Sequence, residues 1–201
     1  MKTLVLTAHP DLSKSRINRK WFEAFAETDG ITLLDLTRLG GPTLSFNVAE
    51  QQDFLLAHDR IVFQFPLYWY SAPPVLKAWM DQVLTYGFAY GPSGNKLAGK
   101  ELVLAISTGG PEDSYHAGGY NNFSMDELLK PFQQSALLTG MTYLSPFVFH
   151  GAAVASDEDV IASQTALLAH VQDPELSPII KKARLDKMLE EDAKLAARVS
   201  A

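Results

Sequence analysis

The chain predicts a doubly wound α/β fold: a five-stranded parallel sheet in the order 2-1-3-4-5, with helices on both faces. Three observations carry this expectation. Five short apolar runs are nearly continuous, as strands buried on both faces must be. Helical patterns separate these runs, along a chain with no internal repeat and no low-complexity tract. Parallel strands joined by right-handed crossovers then close into a doubly wound sheet, and five of them favour 2-1-3-4-5 over the larger dinucleotide-binding arrangement.

The first run, KTLVLTA (Lys2 to Ala8), reads as a buried strand, followed by a helix from about Arg16 to Ala26. ITLLDL (Ile31 to Leu36) is the second strand, and after the connection RLGGPTLSFN a helix covers Val48 to Ala57. RIVFQF (Arg60 to Phe65), β-branched and apolar, is the third strand. Val75, Leu76, Trp79, Met80, Val83 and Leu84 fall at helical spacing, so a helix runs from about Pro73 to Leu84, starting near Ser71 or Ala72, with Trp79 in its core face. ELVLAIS (Glu101 to Ser107) is the fourth strand and MTYLSPFVFH (Met141 to His150) the fifth. Helical patterns lie near Asp126 to Thr139 and Asp157 to Val171. The tail from Ser177 opens with a Ser-Pro helix cap and keeps an apolar side through Leu189, Leu195 and Val199. It predicts an extra helix packed on the body or on a partner chain. The expected organisation is one domain over 1–175 with a helical extension over 176–201.

At 201 residues and 47% hydrophobic content the chain can bury one full core. No apolar run approaches the roughly 20 residues of a membrane span. KTLVLTA is too short for a signal-peptide core and there is no cysteine, which together predict the cytoplasm. A formal charge of −6 without a basic cluster argues against nucleic acid as a partner. His58, His150 and His170 lack metal-ligand spacing and read as structural.

In such a sheet, ligands bind beyond the carboxyl ends of the strands. The loop after strand one, AHPDLSKSRIN, has no glycine and is no Walker loop. His9, Ser13, Ser15, Arg16 and Asn18 lead into a helix whose free amides and side-chain donors suit a phosphate, or Ser13 or Ser15 simply caps it. After strand three, FPLYWYSAPP sets Tyr68, Trp69 and Tyr70 between prolines; they either plug a core or face a planar heterocycle. After strand four, STGGPEDSYHAGGYNNF offers Gly109 and Gly110, which permit positive φ and close backbone approach. Ser107, Thr108, Ser114, Tyr115, His116 and Tyr120 add donors.

AHPDLSKSRIN, QFPLYWYSAPPVLKAWMDQV, GFAYG (Gly87 to Gly91) and STGGPEDSYHAGG resemble the flavodoxin-like NAD(P)H:quinone oxidoreductases of the DT-diaphorase type. The likeness spans about Met1 to Phe149 and is greatest to small bacterial members, which include ancillary proteins of glutathione-gated potassium efflux. It implies FMN, with FAD in the larger animal members, and NADH or NADPH as donor. Hydride would pass by way of the flavin to a quinone-like acceptor in ping-pong fashion. By position, His9, Ser15, Ile17 and Asn18, with Arg16, would hold the flavin phosphate and ribityl chain. Pro66, Leu67, Tyr68, Trp69 and Tyr70 would line the ring system, and Ser107, Thr108, Gly109 and Gly110 would meet its pyrimidine edge. Tyr115 matches the family's active-site tyrosine. Larger members carry a histidine six residues later, where this chain has Asn121, which cannot pass a proton at neutral pH. His116 is the neighbouring candidate for that role. The resemblance also implies a homodimer, and leaves two rival roles: a regulatory subunit of a membrane potassium-efflux antiporter, or a flavodoxin-type electron carrier.

Overall fold

The computed structural model describes residues 1–199, with side chains described through Asp192. Strands β1 (Thr3–Thr7), β2 (Ile31–Asp35), β3 (Arg60–Pro66) and β4 (Glu101–Ser107) pair in parallel, and the sheet order is β2-β1-β3-β4-β5, with β5 at Thr142–Tyr143. A further strand, β6 (Phe147–Phe149), also pairs with β4. The topology is the flavodoxin-like one expected from the strand count.

The fifth apolar run is therefore two strands, not one. Tyr143 lies opposite Leu102 and Phe147 opposite Ala105, so four steps on one strand meet three on β4. Ser145 and Pro146 take up the extra residue as a bulge, since proline has no amide to donate. The bulge is held from outside by His170 Nε2, 2.8 Å from the Ser145 carbonyl.

Alternation along the strands divides the core in two. Leu4, Leu6, Ile61, Phe63, Phe65, Leu104 and Ile106 face one side. There they meet α4 (Pro74–Val83), where Trp79 is fully buried, edge-on to Phe63 at 5.8 Å, and donates its N–H to Gln51. Val5, Val62, Val103 and Ala105 face the other side. There they meet α1 (Ile17–Ala26) and α7 (Asp157–Gln172), where Trp21 packs edge-on against Phe147 and Phe149. The helix α3 (Val48–Ala57) lies as the sequence predicts.

Three helical boundaries differ from expectation. A short helix, α2 (Leu36–Gly40), follows β2 directly, capped by the Asp35 carboxylate on the amides of Thr37 and Arg38. It is too short to show periodicity, although Asp35 is a good cap. The single helix expected over 126–139 is α5 (Met125–Leu128) and α6 (Lys130–Leu138), because Pro131 sits in the first turn of the second. And α4 begins at Pro74 instead of Ser71 or Ala72, because Ser71 is bonded into a tight turn.

After a 3-10 turn at Pro174–Leu176 comes α8 (Pro178–Val199). Its side chains from Pro178 to Asp192 are all exposed, so over this stretch it is not packed on the body. Leu195 and Val199 of the expected apolar side lie outside the described side chains. Among the described residues, no helix is long and apolar enough to cross a membrane.

Candidate active site

Three loops meet at the carboxyl edge of the sheet, after β1, β3 and β4. In the first, His9 is buried, and its Nδ1 accepts the Asp11 amide at 3.1 Å. Burial lowers its pKa and so favours the neutral ring, whose proton lies on Nε2 because Nδ1 accepts. Ser15 Oγ caps α1 by accepting the Asn18 amide at 3.0 Å. The amides of Arg16 and Ile17 have no acceptor among the described residues and sit at the positive end of the helix.

Two residues of this loop turn elsewhere. Arg16 reaches across to α7, binding Asp157 Oδ1 at 2.7 and 3.1 Å and the Ala155 carbonyl, so its guanidinium does not serve the loop. Asn18 is buried and donates to Ser107 Oγ at 2.9 Å, while its carbonyl accepts Gln64 Nε2 at 2.8 Å. Gln64 in turn accepts the Thr7 hydroxyl. Asn18 and Ser107 thus tie α1 to the strand ends.

The loop after β3 contains a tight two-residue turn. Tyr68 and Ser71 exchange backbone hydrogen bonds of 2.9 and 3.0 Å, and the residues between them, Trp69 and Tyr70, have φ of 50° and 59°. Positive φ at both central positions defines a type I′ turn, which ordinarily takes Asn-Gly. Such backbone is strained for aromatic residues, and strain of this kind collects at functional sites. Trp69 is 90% exposed, so core packing does not offset the strain. Trp69→Asn is therefore expected to raise the unfolding free energy by about 1 kcal/mol in urea titration. A loss of stability instead would mean the indole is packed.

In the third loop, Thr108 is buried and shares a hydrogen bond with the Tyr115 hydroxyl. Gly109 and Gly110 do not have positive φ, contrary to expectation. Space explains Gly110: a Cβ there would come 3.1 Å from Ser114 Oγ and from the Tyr115 ring and hydroxyl. At Gly109 a Cβ would meet nothing within 4 Å, since it faces open space. Asn121 bridges two loops, accepting from the Tyr70 hydroxyl at 3.0 Å and donating to Ser114 Oγ at 2.8 Å. His116 is exposed, with Nδ1 2.9 Å from the Ala117 carbonyl, and lines none of the cavities here.

Leu67, Trp69, Tyr70, Thr108, Gly109, Gly110, Tyr115 and Asn121 line a polar cavity of ≈ 240 Å³. Gly110, Tyr115 and Asn121 also line an adjoining cavity of ≈ 550 Å³ that runs to Tyr120. Pro66 ends β3 beneath this site, and Tyr68 lies edge-on to His9 at 6.3 Å, joining the first two loops. Every amide of Trp69, Tyr70, Gly109 and Gly110 lacks an acceptor among the described residues.

His150 reads from the sequence as structural, and the fold brings it beside the site. It follows β6 at the same sheet edge, its ring 5.3 Å from that of Tyr115. Its Nδ1 is buried with no hydrogen-bond partner among the described residues, and burial lowers its pKa. The signal available was topological: it ends an apolar run on the binding edge.

The family described by a flavodoxin-like fold matches residues 1–171. The chain is 52% identical over 191 residues to the uncharacterized NAD(P)H oxidoreductase YdeQ of Bacillus subtilis, covering 94% of this chain and 96% of YdeQ. It is 40% identical over 163 residues to the glutathione-regulated potassium-efflux ancillary protein KefG of Pectobacterium atrosepticum, covering 81% and 88%. General stress protein 14 of Treponema denticola, solved in complex with FMN, superposes with a TM-score of 0.80 at 39% identity, covering 84% of this chain and 97% of that one. An NADPH-quinone reductase from P. pentosaceus superposes at 0.77 with 35% identity, covering 86% and 99%. With this fold, this loop convergence and these relatives, the chain belongs to the flavodoxin-like NAD(P)H oxidoreductase family.

Proposed function

We propose that the protein is an FMN-dependent NAD(P)H oxidoreductase that delivers two electrons to a quinone-like acceptor. The observation that carries this is the cavity edge where the unpartnered amides of Trp69, Tyr70, Gly109 and Gly110 converge beside open space at Gly109. Such an edge fits a flat heterocycle rich in acceptors. The free amides of Arg16 and Ile17, with His9 Nε2, fit the phosphate at the other end. FMN in the Treponema denticola neighbour supports this choice over FAD.

Bound FMN would supply the hydride chemistry between a nicotinamide and the acceptor. In balance, NAD(P)H gives a hydride and solvent a proton, yielding NAD(P)+ and a hydroquinone. The protein's own part is positional and electrostatic. Leu67, Trp69 and Tyr70 would wall the ring site, with Pro66 and Tyr68 beside them, and the amides of Gly109 and Gly110 would stabilise negative charge gained on reduction. Thr108 can donate to the Tyr115 oxygen, which leaves the Tyr115 proton free to point into the cavity. Asn121 holds Tyr70 and Ser114 in place and relays no proton.

The test is titration of the purified protein with FMN. One saturable site per chain is expected, and Gly109→Val should weaken it about tenfold or more by filling the open space beside the loop. No saturable binding overturns the proposal; unchanged affinity in the variant removes Gly109 from the site. The KefG likeness favours a second reading, a regulatory partner of a membrane antiporter, with NAD(P)H oxidation secondary. Co-purification with such an antiporter would distinguish it. Homodimer formation and a cytoplasmic location belong to the proposal on the family likeness.

A further inference from the structure

We infer that α8 is a self-association element that pairs antiparallel with α8 of a second copy of this chain. The helix runs from Pro178 to Val199, about 33 Å at 1.5 Å per residue. Its side chains from Pro178 to Asp192 are all exposed, among them Leu185 at 54%, Met188 at 53% and Leu189 at 57%. In proteins most helical stability comes from packing an apolar face rather than from intrinsic propensity. This helix shows such a face without its cover.

The pattern on that face specifies the cover. Lys181, Leu185, Met188 and Asp192 follow one another at steps of four, three and four, the spacing of a coiled-coil seam. The two polar members carry opposite charge, one at each end of the apolar pair. Parallel pairing would set Lys181 against Lys181 and Asp192 against Asp192. An antiparallel pair with its two-fold axis between Asp186 and Lys187 sets Leu185 on Met188 of the other copy, and Lys181 on Asp192. The contacts repeat across the axis, as an isologous interface requires. Arg184 and Glu191 flank the seam on one side, again as opposite charges across the axis.

Among the described residues, nothing competes strongly. Lys181 borders a groove with Asp126 but makes no ion pair among the described residues, and neither does Asp192. The ion pairs that do occur, Lys182–Asp186, Lys187–Glu191 and Arg184–Glu175, are exposed and weak. Ile179 and Ile180 lie off the seam. The family match ends at residue 171, so α8 lies outside the matched domain, and its pairing does not rest on the redox proposal.

The chain has no cysteine, which makes the register directly readable. Full-length Leu185→Cys and Met188→Cys chains carrying different tags would be mixed, oxidised mildly and run unreduced. The mixed pair should cross-link at least about fivefold more than either variant alone, or than Glu190→Cys on the opposite helix face. Adding Lys181→Glu to both chains should reduce the mixed product at least about threefold, and adding Asp192→Lys as well should restore it. Equal yields at all positions would overturn the proposal, because α8 would then face solvent, its own body or another protein. Predominant linkage of Leu185→Cys to itself would overturn it too, since that is the parallel register.

Discussion

Arg60→Met should lower the melting temperature by roughly 6–20 °C, the largest stability effect expected in this chain. Arg60 opens β3 with its side chain fully buried. Its Nε and Nη2 bind Glu101 Oε2, on the neighbouring strand, at 2.8 and 2.7 Å. Its Nη1 donates to the carbonyls of Val171 and Asp173, at the end of α7. One guanidinium therefore clamps two strands to carbonyls that the helix leaves without amides. Methionine fills the space but strands a carboxylate and those carbonyls, and breaking a buried pair costs about 3–5 kcal/mol. Arg60→Lys keeps the charge and loses the fork, so it should recover only part. Arg60→Met with Glu101→Leu should recover more, because no charge is left unpaired. Thermal unfolding followed by circular dichroism decides it. A shift under about 2 °C would mean the clamp contributes little beyond its own desolvation. The clamp lies at the amino end of the sheet, opposite the three loops, so FMN affinity should hold.

Tyr115→Phe should slow turnover with NAD(P)H and a quinone on the order of ten- to a hundredfold. On the proposed function, with Asn121 unable to pass a proton, the Tyr115 hydroxyl beside Thr108 would be the donor to charge developing at the cavity. A hydrogen bond to a charged group contributes roughly 1.5–3 kcal/mol, at about 1.4 kcal/mol per decade of rate. The ring remains, and the loss of one hydrogen bond to Thr108 should cost only about 1 kcal/mol of stability. Stopped-flow kinetics, following the nicotinamide and quinone half-reactions separately, should show at least one slowed about tenfold. Both within about twofold of wild type would reduce Tyr115 to a cavity wall. His150 would then be the residue to test. His116 would not, because its ring turns to the Ala117 carbonyl.

Much of this architecture is legible in the amino-acid order because it rests on local signals. Runs such as RIVFQF and ELVLAIS are apolar throughout, which only a sheet covered on both faces requires, and from that the strand order and binding edge follow. Trp79 falls at a core position by helical spacing alone. What the sequence leaves open depends on where a side chain points, which is set by neighbours far away in the chain. Arg16 looks like a phosphate ligand until Asp157, 141 residues on, takes its guanidinium. Asn18 looks like another until Ser107 and Gln64 enclose it. Gly109 and Gly110 suggest positive φ, yet at Gly110 it is Tyr115 that leaves no room for a Cβ. The strain at Trp69 and Tyr70 has no local signature, since their composition argues against the turn they form. Composition and periodicity thus determined the sheet and the edge where chemistry gathers. Only long-range packing decided which polar groups on that edge are spent on the fold, and which remain free to bind.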